Sequence, residues 1–254
     1  TQAPTAIRSY LVSTRHLRSV TAIRADGVAK SYGDVAALTD LSLSVERGEV
    51  FGFLGPNGAG KTTTMEILTG QLAPDAGEVE VLGTDPTADP LGVRRRIGIL
   101  PEQESPPSFL TPREYFSFVG RVREIPNATV ASRVAEWADR LSFRAKLDTL
   151  CSDLSRGQQQ KVMITAAFLH EPEAVFIDEP LANLDPIVQE TVKEFFESYR
   201  AAGNALFLST HHIEVAESIC TRVAIVADGR VQRERRPAEL GAESLLDEFL
   251  ANVR

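Results

Sequence analysis

Cysteine is scarce in this chain of 254 residues: Cys151 and Cys220 are the only two, far apart and in no C-x-x-C pairing. That excludes a disulfide framework and a cysteine-rich metal centre, and it points to a reducing compartment. Long apolar runs are missing as well. No uninterrupted stretch approaches the roughly 18 residues that a membrane span requires, so any membrane role needs a partner. Positive charge is in deficit, with a formal net charge of −8, which leaves no bulk field to attract nucleic acid or an anionic bilayer. Lysine occurs only at positions 30, 61, 146, 161 and 193. The short basic runs Arg94-Arg95-Arg96 and Arg233-Glu234-Arg235-Arg236 are read as solvated faces. Repeats and low-complexity tracts are not evident. What is present is a hydrophobic fraction of 43%, enough for a sizeable core in one large domain or two small ones.

The first 25 residues carry Arg8, Arg15, Arg18 and Arg24 and no acid. Residues 1–22 are expected to be an extension of the domain. Three readings stay open: a flexible tail, a targeting or membrane-surface helix, or a start at Val20 that would remove residues 1–19. From Ile23 onward the pattern is regular. Short β-rich runs at 41–45, 50–54, 78–82 and 97–100 surround one helix-like segment, 62–68. A helical block follows. Thr111-Pro112-Arg113-Glu114 is a capping box with proline at the first helical position, opening a helix to about Arg123. Residues 127–141 form a second amphipathic helix, and Ser155 with Gln158 opens a third. Strands at 174–178, 205–209 and 222–227 then alternate with helices at 186–201 and 213–220. Asp228-Gly229 makes a tight hairpin turn, and 240–250 is a last helix within a C-terminal helical tail, 232–254. Such alternation indicates an α/β fold with a mostly parallel sheet and helices on its faces, and the helices of about 103–165 read as an inserted subdomain.

Gly55, Pro56, Asn57, Gly58, Ala59, Gly60, Lys61 and Thr62 spell G-P-N-G-A-G-K-T between the apolar run V-F-G-F-L and the helix T-T-M-E-I-L. This is the P-loop pattern in its strand–loop–helix context. Its glycines let backbone N–H groups converge on phosphate oxygens at the positive end of a helix. Lys61 can reach the β- and γ-phosphates, the Thr62 hydroxyl can bind Mg²⁺, and Thr63 completes the binding stretch. The chain is thus expected to bind ATP. A-V-F-I-D-E-P, residues 174–180, is a buried-strand run ending in two carboxylates. Neighbouring residues at a strand end point in different directions, so Asp178 takes the metal role and Glu179 the general-base role. L-S-R-G-Q, formed by Leu154, Ser155, Arg156, Gly157 and Gln158, offers a second phosphate-binding surface at a helix N-terminus. By itself Ser155 is merely a helix cap. Beside a P-loop, the economical explanation is a head-to-tail dimer, with each nucleotide between one subunit's P-loop and the other's L-S-R-G-Q.

Together these motifs resemble the ATP-binding-cassette (ABC) ATPases over about residues 23–231. Three further positions match. Tyr32, in Ser31-Tyr32-Gly33, stands where the family stacks an aromatic on adenine. Asp185, in Leu184-Asp185-Pro186, lies in the loop through which subunits sense each other's sites. His211, in Ser209-Thr210-His211, is the switch histidine that contacts the γ-phosphate. The resemblance implies a P-loop NTPase with a mostly parallel core sheet, an N-terminal antiparallel β subdomain and the inserted helical subdomain. A metal site at His211-His212 is not expected, because adjacent side chains diverge and no third ligand is spaced nearby. Three residues depart from the family pattern: Arg156 and Asn183 replace common glycines, and His212 replaces a common aspartate. Asparagine is the next most tolerant of positive φ.

In the family, the strand ending in leucine-proline leads to a glutamine that touches Mg²⁺ or the attacking water. Counting from I-G-I-L-P and from F-L-T-P-R-E puts Glu102 there, with Gln103 as the alternative if the chain bulges by one residue. A carboxylate still supplies a metal-binding oxygen, so Glu102 joins Thr62 and Asp178 as a candidate Mg²⁺ ligand and joins Glu179 and His211 in the catalytic set. The resemblance implies the ATP-hydrolysing subunit of a transporter, peripheral on the cytoplasmic face of the membrane. Its partners would be integral membrane permease subunits and a second ATPase subunit, a homodimer in the simplest case, with no nucleic acid. The wording around the P-loop is similar to that of single-cassette ATPases of export systems. The alternative is a soluble ABC-type ATPase acting on non-membrane partners as an assembly factor. Chromosome-organising relatives with long coiled coils, and ribosome-associated relatives with two cassettes, do not fit a single compact cassette.

Overall fold

The computed structural model describes residues 21–102, 105–240 and 244–253. Most of the N-terminal extension, Gln103 and Glu104 therefore lie outside the described residues. The chain forms two sheets. Strands β1 (Thr21–Tyr32), β2 (Val35–Glu46) and β4 (Ala76–Val81) make an antiparallel sheet in the order β2-β1-β4. The larger sheet has the order β5-β6-β7-β3-β8-β9, from β5 (Ile97–Leu100), β6 (Ala174–Asp178), β7 (Ala205–Thr210), β3 (Val50–Leu54), β8 (Arg222–Ala227) and β9 (Arg230–Arg235). Its first five strands are parallel and β9 is antiparallel to β8. Strands β3, β6 and β7 are buried almost throughout, as their near-continuous apolar sequences require of a sheet covered on both faces.

Side-chain alternation divides the core. Phe51, Phe53, Phe176 and Phe207 belong to the core shared with the antiparallel sheet and α1 (Lys61–Leu68). Val50, Leu54, Val175, Ile177, Leu206 and Leu208 belong to the core under the helical block. That block consists of α3 (Pro112–Val122), α4 (Asn127–Arg140) and α5 (Arg156–Phe168). It is tied to α6 (Pro186–Ala201) by an aromatic cluster: Trp137 meets Phe195 edge-on at 4.6 Å, and Phe168 meets Phe195 at 4.8 Å and Tyr199 at 5.2 Å. Such edge-to-face pairs add about 0.5–1.5 kcal/mol each beyond their buried area. The Tyr199 hydroxyl donates to the Pro172 carbonyl at 2.6 Å.

The expected capping boxes form at Thr111–Glu114 and at Ser155–Gln158. Elsewhere the chain departs from its sequence pattern. Strands β1 and β2 are each 12 residues long because register shifts interrupt their alternation while pairing continues. The basic run 94–96 ends a short helix, α2 (Pro90–Arg96), capped by Asp89. It is a solvated face only at Arg95, which is exposed: Arg96 donates to Glu173 and the Leu82 carbonyl, and Arg94 to the Gly70 carbonyl. Similarly, Arg235 pairs with Glu248 at 2.7 Å. The expected C-terminal helical tail begins as strand, since β9 runs to Arg235. The last helix, α8 (Leu245–Asn252), starts later than expected because Ser244 and Asp247 form its capping box.

His170 follows α5 and donates from Nε2 to the Ile97 carbonyl at 2.9 Å, while Nδ1 has no partner. Burial, reinforced by Arg123 and Arg133, pulls its pKa down to about 4 against the hydrogen bond to Ile97. The unfolded chain therefore binds more protons than the folded one between pH 4 and 6.5. The stability this neutral imidazole contributes is complete above that window and is lost as pH falls through it. Urea unfolding is expected to show a loss of roughly 2 kcal/mol from this group across the window. In His170→Gln most of that slope should disappear.

Candidate nucleotide site

Strand β3 lies inside the sheet, so its carboxyl end delivers residues 55–60 to the start of α1 from a rigid support. Gly60 has φ +96°, and a Cβ there would meet Leu38 Cδ2 at 2.6 Å and the Ala37 carbonyl at 2.7 Å. Gly58 has φ +83° with open space around it, as a loop that admits a ligand to its backbone requires. Lys61 Nζ donates to the carbonyls of Gly55 at 2.7 Å and Pro56 at 3.0 Å. Burial lowers its pKa, and the charges of Asp178, Glu179 and Glu102 oppose that effect.

A cavity of about 490 Å³ opens over this loop. Asn57, Gly58, Gly60, Lys61, Thr62, Thr63, Glu102, Asp178, Glu179 and His211 all line it, although they come from four separate stretches of sequence. Thr62, Asp178 and Glu102 offer oxygen donors only, which fits a hard cation such as Mg²⁺. Asp178 ends β6, and burial pushes its pKa up, with Glu102 and Glu179 adding to the effect.

Glu179 is the most constrained group. It is 5% exposed and has φ +52°, a left-handed backbone that a non-glycine residue holds at some cost. Its Oε2 accepts from Thr210 Oγ1 at 2.8 Å, and Oε1 accepts from the His211 backbone N–H at 2.9 Å. His211 Nδ1 lies 2.6 Å from the same Oε1. In this arrangement the carboxylate is aimed, through its neighbours, at the cavity that the P-loop frames.

The signature segment is not brought to this cavity. Ser155 is exposed and its Oγ accepts from the Gln158 N–H at 3.3 Å, while Leu154 is buried. Arg156 lines a second cavity of about 560 Å³ with Gln159, Gln160 and Asn183, and Glu102 lines both cavities. Gly157 has a packing reason: a Cβ there would meet the Asn183 carbonyl at 2.6 Å. Asn183 itself has φ +60°. Asp185 caps α6 by accepting from the Val188 N–H at 3.1 Å. Tyr32 is half exposed at the end of β1 and does not line the P-loop cavity. Glu102 does line it, whereas Gln103 lies outside the described residues.

Sequence reasoning overlooked Val35, Ala36 and Ala37, which line the cavity. No chemistry marks them; the β1–β2 hairpin simply carries them there. It also overlooked Thr210, whose signal was a buried polar residue ending an apolar strand. The expectation that His211 and His212 diverge with no third ligand is incorrect. His211 follows β7 and His212 caps α7 (Ile213–Ile219), and this turn leaves their rings 4.0 Å apart. Glu179, distant in sequence, lies beside both.

Comparison with known proteins agrees with this geometry. The ABC transporter family matches residues 38–182. Nod factor export ATP-binding protein I of Ralstonia nicotianae is 33% identical, over 85% of this chain and 67% of that protein. Daunorubicin resistance ATP-binding protein DrrA3 of Streptomyces coeruleorubidus is 36% identical, over 88% of this chain and 71% of its own. The solved ATP-binding subunit of an ABC transporter superposes with a TM-score of 0.82 at 29% identity, covering 91% of this chain and 98% of that one. A dimeric bacterial ABC transporter cassette gives 0.78 at 25% identity, over 85% and 98%. The same cassette has also been solved in a post-hydrolysis state with ADP and phosphate. The chain described here belongs to the ABC transporter family, as an ATP-binding and ATP-hydrolysing cassette.

Proposed function

We propose that this cassette drives export by closing head to tail on ATP with a second copy and reopening after hydrolysis, moving separate membrane permease subunits as it does so. The observation that carries the reading is the convergence of Lys61, Thr62, Asp178, Glu179 and His211 on one cavity. The P-loop N–H groups and Lys61 bind the phosphates. Glu179 takes the proton from the attacking water, and Thr210 and His211 keep its carboxylate oriented. His211 turns to the γ-phosphate, and Tyr32 stacks on adenine. Thr62, Asp178 and Glu102 would hold Mg²⁺, which when bound neutralises charge on the β- and γ-phosphates. The cavity that each chain leaves open is closed by the partner's Leu154, Ser155, Arg156, Gly157 and Gln158, and Asp185 relays the state of one site to the other.

The export assignment draws on the names of the relatives. Among the described residues no helix is long and apolar enough to cross a membrane. In this reading transport belongs to permease subunits on which the cassette sits, at the cytoplasmic face. Their docking place is an apolar groove between α3, β5 and α5. Phe118 and Val122 are exposed there beside Ile99 and Met163, with Arg94 and Arg123 flanking. A short amphipathic segment of the permease fits such a groove. Through β5 it adjoins Glu102, which gives nucleotide and permease a shared element.

Two substitutions test this reading. Glu179→Gln is expected to keep ATP binding, lose turnover by about a hundredfold or more, and accumulate an ATP-bound dimer in sedimentation. Normal turnover would rule out the base assignment. Ser155→Arg should leave ATP affinity of the monomer intact and abolish ATP-dependent dimerisation. Weaker monomer affinity would show instead that Ser155 serves its own subunit's nucleotide.

A further inference from the structure

His212 takes no part in the reaction proposed above, yet its position beside Glu179 and His211 is chemically specific. We infer that Glu179, His211 and His212 form a binding site for one divalent transition-metal ion of the zinc class, and that its occupation stops hydrolysis by engaging Glu179. One ligand atom from each residue falls within 4.8 Å of the other two. His211 Nδ1 is 2.6 Å from Glu179 Oε1, and His212 Nε2 is 4.0 Å from Oε2. Bonds of about 2.0–2.1 Å to a tetrahedral Zn²⁺ would place such ligands roughly 3.4 Å apart. Those two distances run to different carboxylate oxygens; with one oxygen as the ligand, all three atoms lie within 4.8 Å of one another, so no pair has to close by more than about 1.4 Å.

The movement falls on the groups that can make it. The Glu179 side chain is held by the Thr210 hydroxyl and is 6% exposed, whereas the side chains of His211 and His212 are 44% and 55% exposed. Two nitrogens and one carboxylate oxygen, with a fourth position open to solvent, suit zinc or cobalt. They do not suit Mg²⁺, which prefers oxygen in octahedral array. The candidate Mg²⁺ ligands Thr62, Asp178 and Glu102 are different residues, so zinc would not need to displace magnesium. The inhibitory consequence rests on Glu179 being the base proposed above; the binding site does not.

The test uses the full, untagged chain, freed of nucleotide and metal, and titrated with Co²⁺ as a visible reporter. One equivalent is expected to bind with a tetrahedral absorption band, and His212→Asn should weaken binding by about tenfold or more. An absence of binding, or equal affinity in the variant, overturns the site. In a hydrolysis assay at saturating Mg-ATP, buffered free Zn²⁺ should lower wild-type turnover by about tenfold and spare His212→Asn. Without zinc the variant should match wild type within about twofold, because His212 carries no role in the reaction. Equal zinc sensitivity of the two proteins overturns the inhibitory half. The titration contains no ATP, so an incorrect base assignment, reported separately by Glu179→Gln, would leave the cobalt result standing.

Discussion

The chemistry proposed for this cassette depends on one constraint: a buried carboxylate clasped across the ends of two parallel strands. Asp178 is paired in register with Ser209 across β6 and β7, so Glu179 emerges where Thr210 and His211 emerge. Its N–H donates to the Ser209 carbonyl at 2.9 Å, and its side chain accepts from Thr210 and His211. A slip of one residue in that pairing would exchange the faces of every side chain involved. Strand β3 holds the P-loop on the other side of β7 in the same sheet, so the phosphate cradle and the carboxylate share one rigid reference. Buried charge is costly unless it is hydrogen-bonded, and the groups that satisfy Glu179 are the ones that aim it.

The seven residues 179–185 connect this clasp with the rest of the molecule. Glu179 begins the segment in the left-handed region and Asp185 ends it as the cap of α6. Between them Asn183 presents the carbonyl against which Gly157 packs. Helix α5, Glu179 and the start of α6 are therefore in contact through a single short turn. The aromatic cluster of Trp137, Phe168, Phe195 and Tyr199 then locks α4 and α5 onto α6. A shift of the helical block relative to the sheet has to pass through this turn or break that cluster.

Much of this was legible in sequence because the functional segments are local patterns with a physical cause. The P-loop glycines, the apolar strand ending in Asp178-Glu179 and the Ser155–Gln158 box each need only a few adjacent residues. The contributions that escaped reading come from chain distant in sequence. Val35, Ala36 and Ala37 reach the cavity through a hairpin whose irregular register hides its length. Arg96 has the composition of a solvated face but is held by Glu173 and the Leu82 carbonyl. Adjacency in sequence predicts diverging histidines, but the turn from β7 into α7 and the arrival of Glu179 from the neighbouring strand bring them together.

The clasp itself is most directly tested by single-turnover hydrolysis of ATP in two variants of Thr210, a residue 1% exposed. Thr210→Val preserves the volume and deletes the hydroxyl that holds Glu179, whereas Thr210→Ser keeps it. The account predicts that the valine variant binds ATP normally but hydrolyses it at least about tenfold more slowly, and that serine restores most of the rate. Wild-type hydrolysis in the valine variant would contradict it.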